Sequence, residues 1–226
     1  MYLGKVRIQD QHIRRLIAQG EHQQLDFKFE ISDAMKIART FSAFANTDGG
    51  KLLIGVKDNG RIAGVRSEEE YYMAESAAQL FCKPEVHFTT QKWMIEGKTI
   101  LEISIPPSEQ KPHFAKDRDG KWLAYMRVKD ENLPAHPVLV KVWKLKKSHK
   151  GVFVHYSKVE RALLDYLSAE GEITLPKFMR IAHIHHGDAE NILARLIALG
   201  VISILFADPN ATYRLTDREQ AGQVIS

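Results

Sequence analysis

Glu21, Asp26 and Asp58 are the residues whose types and spacing could do chemistry. Leu25, Phe27 and Phe29 alternate with Asp26, Lys28 and Glu30, the period of a half-buried strand, so Glu21 precedes that strand and Asp26 lies on it. Asp58 follows the apolar run Lys51 to Val56, whose Leu52, Leu53 and Ile54 suit both faces of a central strand. If the two strands are neighbours, the three carboxylates converge on one divalent ion. Hard cations such as Mg²⁺ or Mn²⁺ take carboxylate oxygens, and in a nuclease they orient water and offset charge developing on phosphorus. The competing reading is of acidic residues at solvated turns. Lys28 shares a strand face with Asp26 and either neutralises it, the simpler reading, or contacts a phosphate. Lys57, Arg61 and Arg66 surround the second strand and its turn, a rim that would position a nucleic acid without reading its sequence.

Other constellations are weaker. Gly49, Gly50, Gly55, Gly60 and Gly64 match neither GxxxxGK followed by Ser or Thr nor GxGxxG between strand and helix, so they read as turn glycines. His183, His185 and His186 lack the spacing of a zinc site and read as capping or phosphate-contacting groups. Cys82 has no identifiable histidine partner and reads as a small buried hydrophobe. Near the end of the chain, Asp188, Glu190, Asn191 and Arg195 share one helix. Asn191 and Arg195 could contact nucleic acid, but the acids at the helix start suit its dipole and repel phosphate. This leaves DNA reading and protein docking both open for that helix.

The elements that must position these groups follow from periodicity and punctuation. A helix through Ile8, His12, Ile13 and Leu16 ends at Gly20. A second helix starts from Ser32 as N-cap, runs through Ile37, Phe41 and Ala45, and stops at Gly49 and Gly50. A third spans Glu68 to Phe81. Strands Val86 to Trp93 and Thr99 to Ile105 join near Glu96 and Gly97. Phe114 to Lys116 and Trp122 to Val128 join at Asp119 and Gly120, giving a mixed, mainly antiparallel sheet. Pro134 and Pro137 break it. Helical stripes follow at Lys158 to Ser168, Pro176 to Ala182 and Asp188 to Gly200, then the hairpin Val201 to Phe206 and Thr212 to Leu215. That order describes a winged helix-turn-helix.

Composition narrows the class of protein. The 226 residues are 44% hydrophobic and 27% charged, which excludes a disordered chain. One cysteine excludes an internal disulfide, no apolar run approaches the roughly 20 residues of a membrane span, and Lys5, Arg7 and Asp10 interrupt any signal-like start. The cytoplasm is the expected location, with no membrane partner. Residues 1–150 hold 25 Lys and Arg against 19 Asp and Glu, a net of +6, while 151–226 hold 7 against 9, a net of −2. The densest basic run contains Lys141, Lys144, Lys146, Lys147 and Lys150, which suits an anionic partner or simply a solvated face.

Longer strings carry a resemblance. Leu25-Asp26-Phe27-Lys28, Phe41-Ser42-Ala43-Phe44-Ala45-Asn46-Thr47-Asp48-Gly49-Gly50, Leu52-Leu53-Ile54-Gly55-Val56-Lys57-Asp58-Asn59-Gly60, Ile62-Ala63-Gly64-Val65 and Tyr125-Met126-Arg127-Val128 together resemble the Schlafen AlbA_2-like DNA-binding domain family over about residues 8 to 130. The resemblance implies an α+β fold, a mixed sheet with flanking helices, followed here by a C-terminal winged-helix domain of the kind bacterial predicted transcriptional regulators carry. The expected boundaries are 1–135 for the first domain, 136–152 for a basic connector and 153–226 for the winged helix. The resemblance also implies nucleic-acid binding, with DNA preferred over RNA, in a transcriptional regulator, with Lys28, Lys57, Arg61, Arg66, Arg127, Lys144, Lys146, Lys147, Lys150, Asn191 and Arg195 as contacts and no cofactor required. The animal Schlafen nucleases instead cleave transfer or ribosomal RNA with a metal held by three acids. Carried over residue by residue, these fall on Glu21, Asp26 and Asp58, the alternative in which Mg²⁺ or Mn²⁺ is needed. Asp26 stands where the family ordinarily has glutamate, one methylene longer. The animal enzymes clamp RNA between two related lobes, whereas this chain has one, so a homodimer is expected. A protein-docking or dimerisation module is the third reading.

Overall fold

The computed structural model describes residues 2–148, 156–207 and 210–216, and the chain divides into two units, 1–135 and 136–226. In the first unit, β1 (Leu25–Lys28) pairs in parallel with β2 (Gly50–Ile54), which pairs antiparallel with β5 (Lys98–Ile105), and β5 with β4 (Thr89–Ile95). The β1–β2 register sets Asp26 opposite Leu52. A second antiparallel sheet has the order β3 (Cys82–Lys83), β6 (Phe114–Lys116), β7 (Trp122–Val128), β8 (Glu131–Pro134). The single mixed sheet expected from sequence is therefore two sheets. Pro134 is accommodated because β8 is an edge strand, where a missing N–H leaves no ladder bond unmade.

Helix α2 (Ala34–Asn46) packs against both sheets and is buried on almost every side, with Phe41 and Phe44 inaccessible. Its exposed face is reduced to Lys36 with Arg39 half-buried, and the polar groups it encloses are Thr40, Ser42 and Asn46. Its N-cap is Asp33, one residue beyond the expected Ser32, and the Asp33 carboxylate accepts from the N–H of Met35 and of Lys36. At the other end Gly50 is obligatory, because a Cβ there would sit 2.6 Å from the Phe44 ring. Helix α3 (Glu69–Leu80) adds Ala74, Ala77 and Ala78 to the same core. The opposite face of the first sheet is covered by α1 (Tyr2–Gln19), whose Ile13 packs with Leu25, Phe27, Leu53 and Ile100. Cys82 is buried as expected, and burial pushes its thiol up to about 12.

The second unit contains α4 (Pro137–Lys147), α5 (Lys158–Glu170), β9 (Glu172–Thr174), α6 (Leu175–Ala182), α7 (His186–Ala198), β10 (Ile202–Ala207) and β11 (Asn210–Leu215). Its antiparallel sheet has the order β10, β11, β9. The stretch read as a connector contains α4, whose Val138, Val142 and Trp143 enter the same core as Leu163, Phe178, Leu193 and Tyr213. Capping is complete at α5, where the Ser157 hydroxyl accepts from the Val159 N–H while Glu160 reaches back to the Ser157 N–H.

Candidate nucleic-acid interface

Glu21 and Asp26 are brought together by the turn that follows α1. Gly20 ends that helix, and Glu21 Oε1 accepts from the Phe27 N–H at 2.8 Å, folding its side chain along β1. Asp26 is buried. Its Oδ1 lies 3.0 Å from Lys28 Nζ and 3.5 Å from Arg127 Nη2. Lys28 also donates to the Phe27 carbonyl, so it neutralises Asp26, as the simpler reading had it. Burial raises the Glu21 carboxyl from its ordinary value near 4.5 to about 7, helped by hydrogen bonding to Asp26 and by that residue's negative charge, against the Phe27 N–H and Lys28.

A proton held here in the native state is one the unfolded chain has released by neutral pH. Because the folded value is raised, the stabilisation is complete below about 4.5 and is lost as pH rises through about 7. Glu21→Gln, a neutral side chain at every pH, should therefore gain on the wild type as pH rises from 4.5 to 7.5. Urea unfolding at pH 5 and pH 8 checks this, and a constant difference between the two proteins would exclude the shared proton.

Asp58 does not join the pair. It is exposed in the turn closed by Gly60 N–H to the Lys57 carbonyl at 2.7 Å. Among the described residues no group of three or more His, Cys, Asp or Glu side chains is placed to hold a metal ion. Glu21 and Asp26 are the carboxylates that would hold a divalent ion, and the ion would have to compete with Lys28, 3.0 Å from Asp26, and with Arg127 at 3.5 Å.

Arg127, expected to contact phosphate, is instead buried. Its guanidinium donates to Asn132 Oδ1 at 3.1 Å, to the Leu25 carbonyl at 3.1 Å and to the His22 carbonyl at 3.3 Å, and it lies over the Phe44 ring. It joins β7 to β1 and has no route to a ligand.

Two exposed cations of the first unit lie against an aromatic ring. Gly55, at φ +93, turns the chain out of β2; its N–H donates to the Lys28 carbonyl, and its own carbonyl accepts from Ala63 and Gly64. Any Cβ at Gly55 would meet the Gly64 backbone at 2.9 Å. This strap carries exposed Lys57, Arg61 and Arg66. Lys57 Nζ lies 5.2 Å and Arg66 Cζ 5.7 Å from the centre of the Phe29 ring. Alternation predicts Phe29 to be inside with Leu25 and Phe27. The strand ends at Lys28, however, and Phe29 is 37% exposed. Its significance was missed for that reason; the signal available was an aromatic residue just past a strand end, close to a cationic turn.

In the second unit Lys144, Lys146 and Lys147 are exposed on α4, while Lys150 lies outside the described residues. Asn191 Oδ1 accepts from Lys141 Nζ at 2.7 Å, and Arg195 lies 3.6 Å from Glu160, so both candidate contacts on α7 are already engaged by neighbours. Glu190 pairs with Lys141 at 2.9 Å and His186 lies 3.6 Å from Glu190. His183 is the C-cap of α6 in the left-handed region, and His185 is the N-cap of α7 without a side-chain cap bond. Redrawing the boundary at 135 moves the basic excess: residues 1–135 hold 20 Lys and Arg against 19 Asp and Glu, a net of +1, and residues 136–226 hold 12 against 9, a net of +3.

No helix among the described residues is long and apolar enough to cross a membrane. No curated protein matches the chain. Among solved structures, the DIP2311 protein of Corynebacterium diphtheriae is similar over 73% of this chain, at 18% identity and a TM-score of 0.45, and the chain spans only 38% of that protein. The N-terminal domain of a RecG-related protein from Nitrosomonas europaea is similar over 66% of this chain and 96% of its own length, at 22% identity and a TM-score of 0.40. Residues 21–136 match the family described as Schlafen, AlbA_2, a span that takes in both sheets, the Glu21–Asp26 pair and the Phe29 cluster, and the chain belongs to that family.

Proposed function

We propose that this chain is a nucleic-acid-binding protein acting in transcription regulation, with the exposed cations of the Gly55 strap as phosphate contacts. The observation that carries the reading is the convergence of Lys57 and Arg66 on Phe29, with exposed Arg61 on the same strap. Exposed cations held by a ring rather than by a carboxylate keep their charge available to phosphate. The order α5, β9, α6, α7, β10, β11 supports a winged-helix reading of the second unit, with Lys144, Lys146 and Lys147 as further contacts and DNA preferred over RNA. The engagement of Asn191 and Arg195 argues for backbone contact rather than base reading by α7. Homodimerisation is part of the proposal, and a monomeric mass by light scattering would remove it.

Binding needs no cofactor on this reading. Affinity for a duplex should fall steeply with salt, each lost phosphate contact removing about 0.9 from the slope of log K against log salt. The Lys57→Ala, Arg66→Ala protein should accordingly show a slope shallower by about 2. Salt-independent binding would remove the electrostatic basis. For the endoribonuclease alternative the acids are Glu21, Asp26 and Asp58. Transfer RNA incubated with Mn²⁺ should remain intact, and cleavage abolished by Asp26→Asn would reinstate that alternative.

A further inference from the structure

Phe29 is an apolar ring left 37% exposed at a strand end, where burial was available to its neighbours Leu25 and Phe27. Two cations lie near it, and one of them, Arg66, also lines a hollow of about 550 Å³ that contains Tyr72, itself 60% exposed. The remaining polar wall of that hollow is Glu30, Ser32, Ser67, Glu69, Glu70 and Ser76. The carboxylates there repel phosphate, and carboxylates and hydroxyls alike can accept hydrogen bonds from the amino groups of bases. Lys57 and Arg61, which do not line the hollow, carry the opposite preference. Cationic and acidic surfaces meeting at Arg66 with an open aromatic on each side suit a ligand that has a phosphate edge, a flat π-face and an edge bearing donors. In a duplex the π-faces are covered by stacking; in an unpaired strand they are free.

We propose that Phe29 is a stacking platform for an unpaired nucleobase, flanked by Lys57 and Arg66 on the phosphates and continued toward Tyr72, so that the first unit holds a single-stranded segment by its bases in addition to the phosphate contacts it makes with any nucleic acid. This rests on the nucleic-acid-binding reading above and specifies its substrate. A base that stacks on Phe29 takes a cation's place on the ring, and the cation keeps its charge for the adjoining phosphate whether or not the ring is present.

The test uses the full chain and fluorescence anisotropy with four labelled probes: a 12-nucleotide single-stranded DNA, its RNA counterpart, the same DNA as a duplex, and the DNA strand with abasic sites. Phe29→Ala should weaken binding to the single strands about 10-fold. It should leave duplex binding within about twofold, and Phe29→Trp should retain single-strand affinity. The abasic strand should bind the wild type as weakly as the intact strand binds Phe29→Ala, and Phe29→Ala should not weaken it further, because ring and base are partners in one contact. The salt slope should be unchanged in Phe29→Ala, since stacking releases no counterion. The DNA and RNA arms establish which sugar the site takes. Equal single-strand affinity in wild type and Phe29→Ala, or parallel loss on duplex and single strand, overturns the stacking platform and leaves nucleic-acid binding standing. Failure of the wild type to bind any probe overturns both.

Discussion

Arg127→Met should cost about 3–5 kcal/mol of stability and lower the first unit's Tm by about 10 °C or more. Methionine replaces much of the aliphatic volume, so the loss measures charge and hydrogen bonding rather than a cavity. What is removed is the partner of Asp26, 3.5 Å away, together with donors to the Leu25 and His22 carbonyls, in a side chain 1% exposed. Lys28 alone then faces a buried carboxylate, from a position partly in solvent where its attraction is screened. Pairing the substitution with Asp26→Asn should recover part of the loss, since removing both charges leaves none uncompensated. Urea denaturation of the two single variants and the double variant measures the coupling. A cost below 1 kcal/mol for Arg127→Met would mean the guanidinium does not hold β7 to β1.

A second large effect belongs to Asn46, at the end of α2. Its amide nitrogen donates to the His113 carbonyl at 2.8 Å and to the Tyr125 carbonyl at 2.9 Å, while its Oδ1 accepts from the His113 N–H at 2.7 Å. One buried side chain thus stitches the helix to β7 and to the chain entering β6. Asn46→Asp keeps the shape and the acceptor but sets a carboxylate against two carbonyl oxygens. Each buried group left unsatisfied costs about 1–3 kcal/mol, so Asn46→Asp should lose about 3 kcal/mol or more and Asn46→Ala a comparable amount. Near-native stability in Asn46→Asp would show that packing of α2, and not this bonding, holds the second sheet in place.

Both residues lie in strings that carried the family resemblance, yet their roles were not legible there. Asn46 reads as a polar helix end and Arg127 as one more surface cation, because a sequence does not mark which polar groups are enclosed. Burial of Arg127 becomes intelligible only once β7 is known to lie between β6 and β8, its Tyr125 and Met126 buried as well. Signals of strict local chemistry fared better: the Glu96–Gly97 turn, both residues at positive φ, joins β4 to β5 where expected, and the Asp119–Gly120 turn links β6 to β7. The short strands β3, β8 and β9 carry no apolar alternation of their own and no tight-turn signal that would mark them. The stretch of α4 reads as basic and either helical or irregular, and its place in the second core was hidden for another reason. Its lysines outnumber the apolar residues that matter, and Val138, Val142 and Trp143 are recognisable as a buried stripe only against the core they enter. The convergence of Glu21 with Asp26 was readable from strand alternation, whereas Asp58 required knowing that the turn after Val56 runs outward.

The burial of Trp143 makes the second unit visible in light. The chain has three tryptophans: Trp93 and Trp122 belong to the first unit and Trp143 alone to the second. Trp143 is 9% exposed within the α4 core, whereas Trp122 is 40% exposed and Trp93 donates its indole N–H to Glu102 at 2.7 Å, with the His12 ring 4.8 Å away. Emission from a protein lacking Trp93 and Trp122 therefore reports melting of the helical unit by itself, and emission from one lacking Trp143 reports the sheet unit. Whether the halves of this chain come apart in one event or two can be watched without cutting the polypeptide between them.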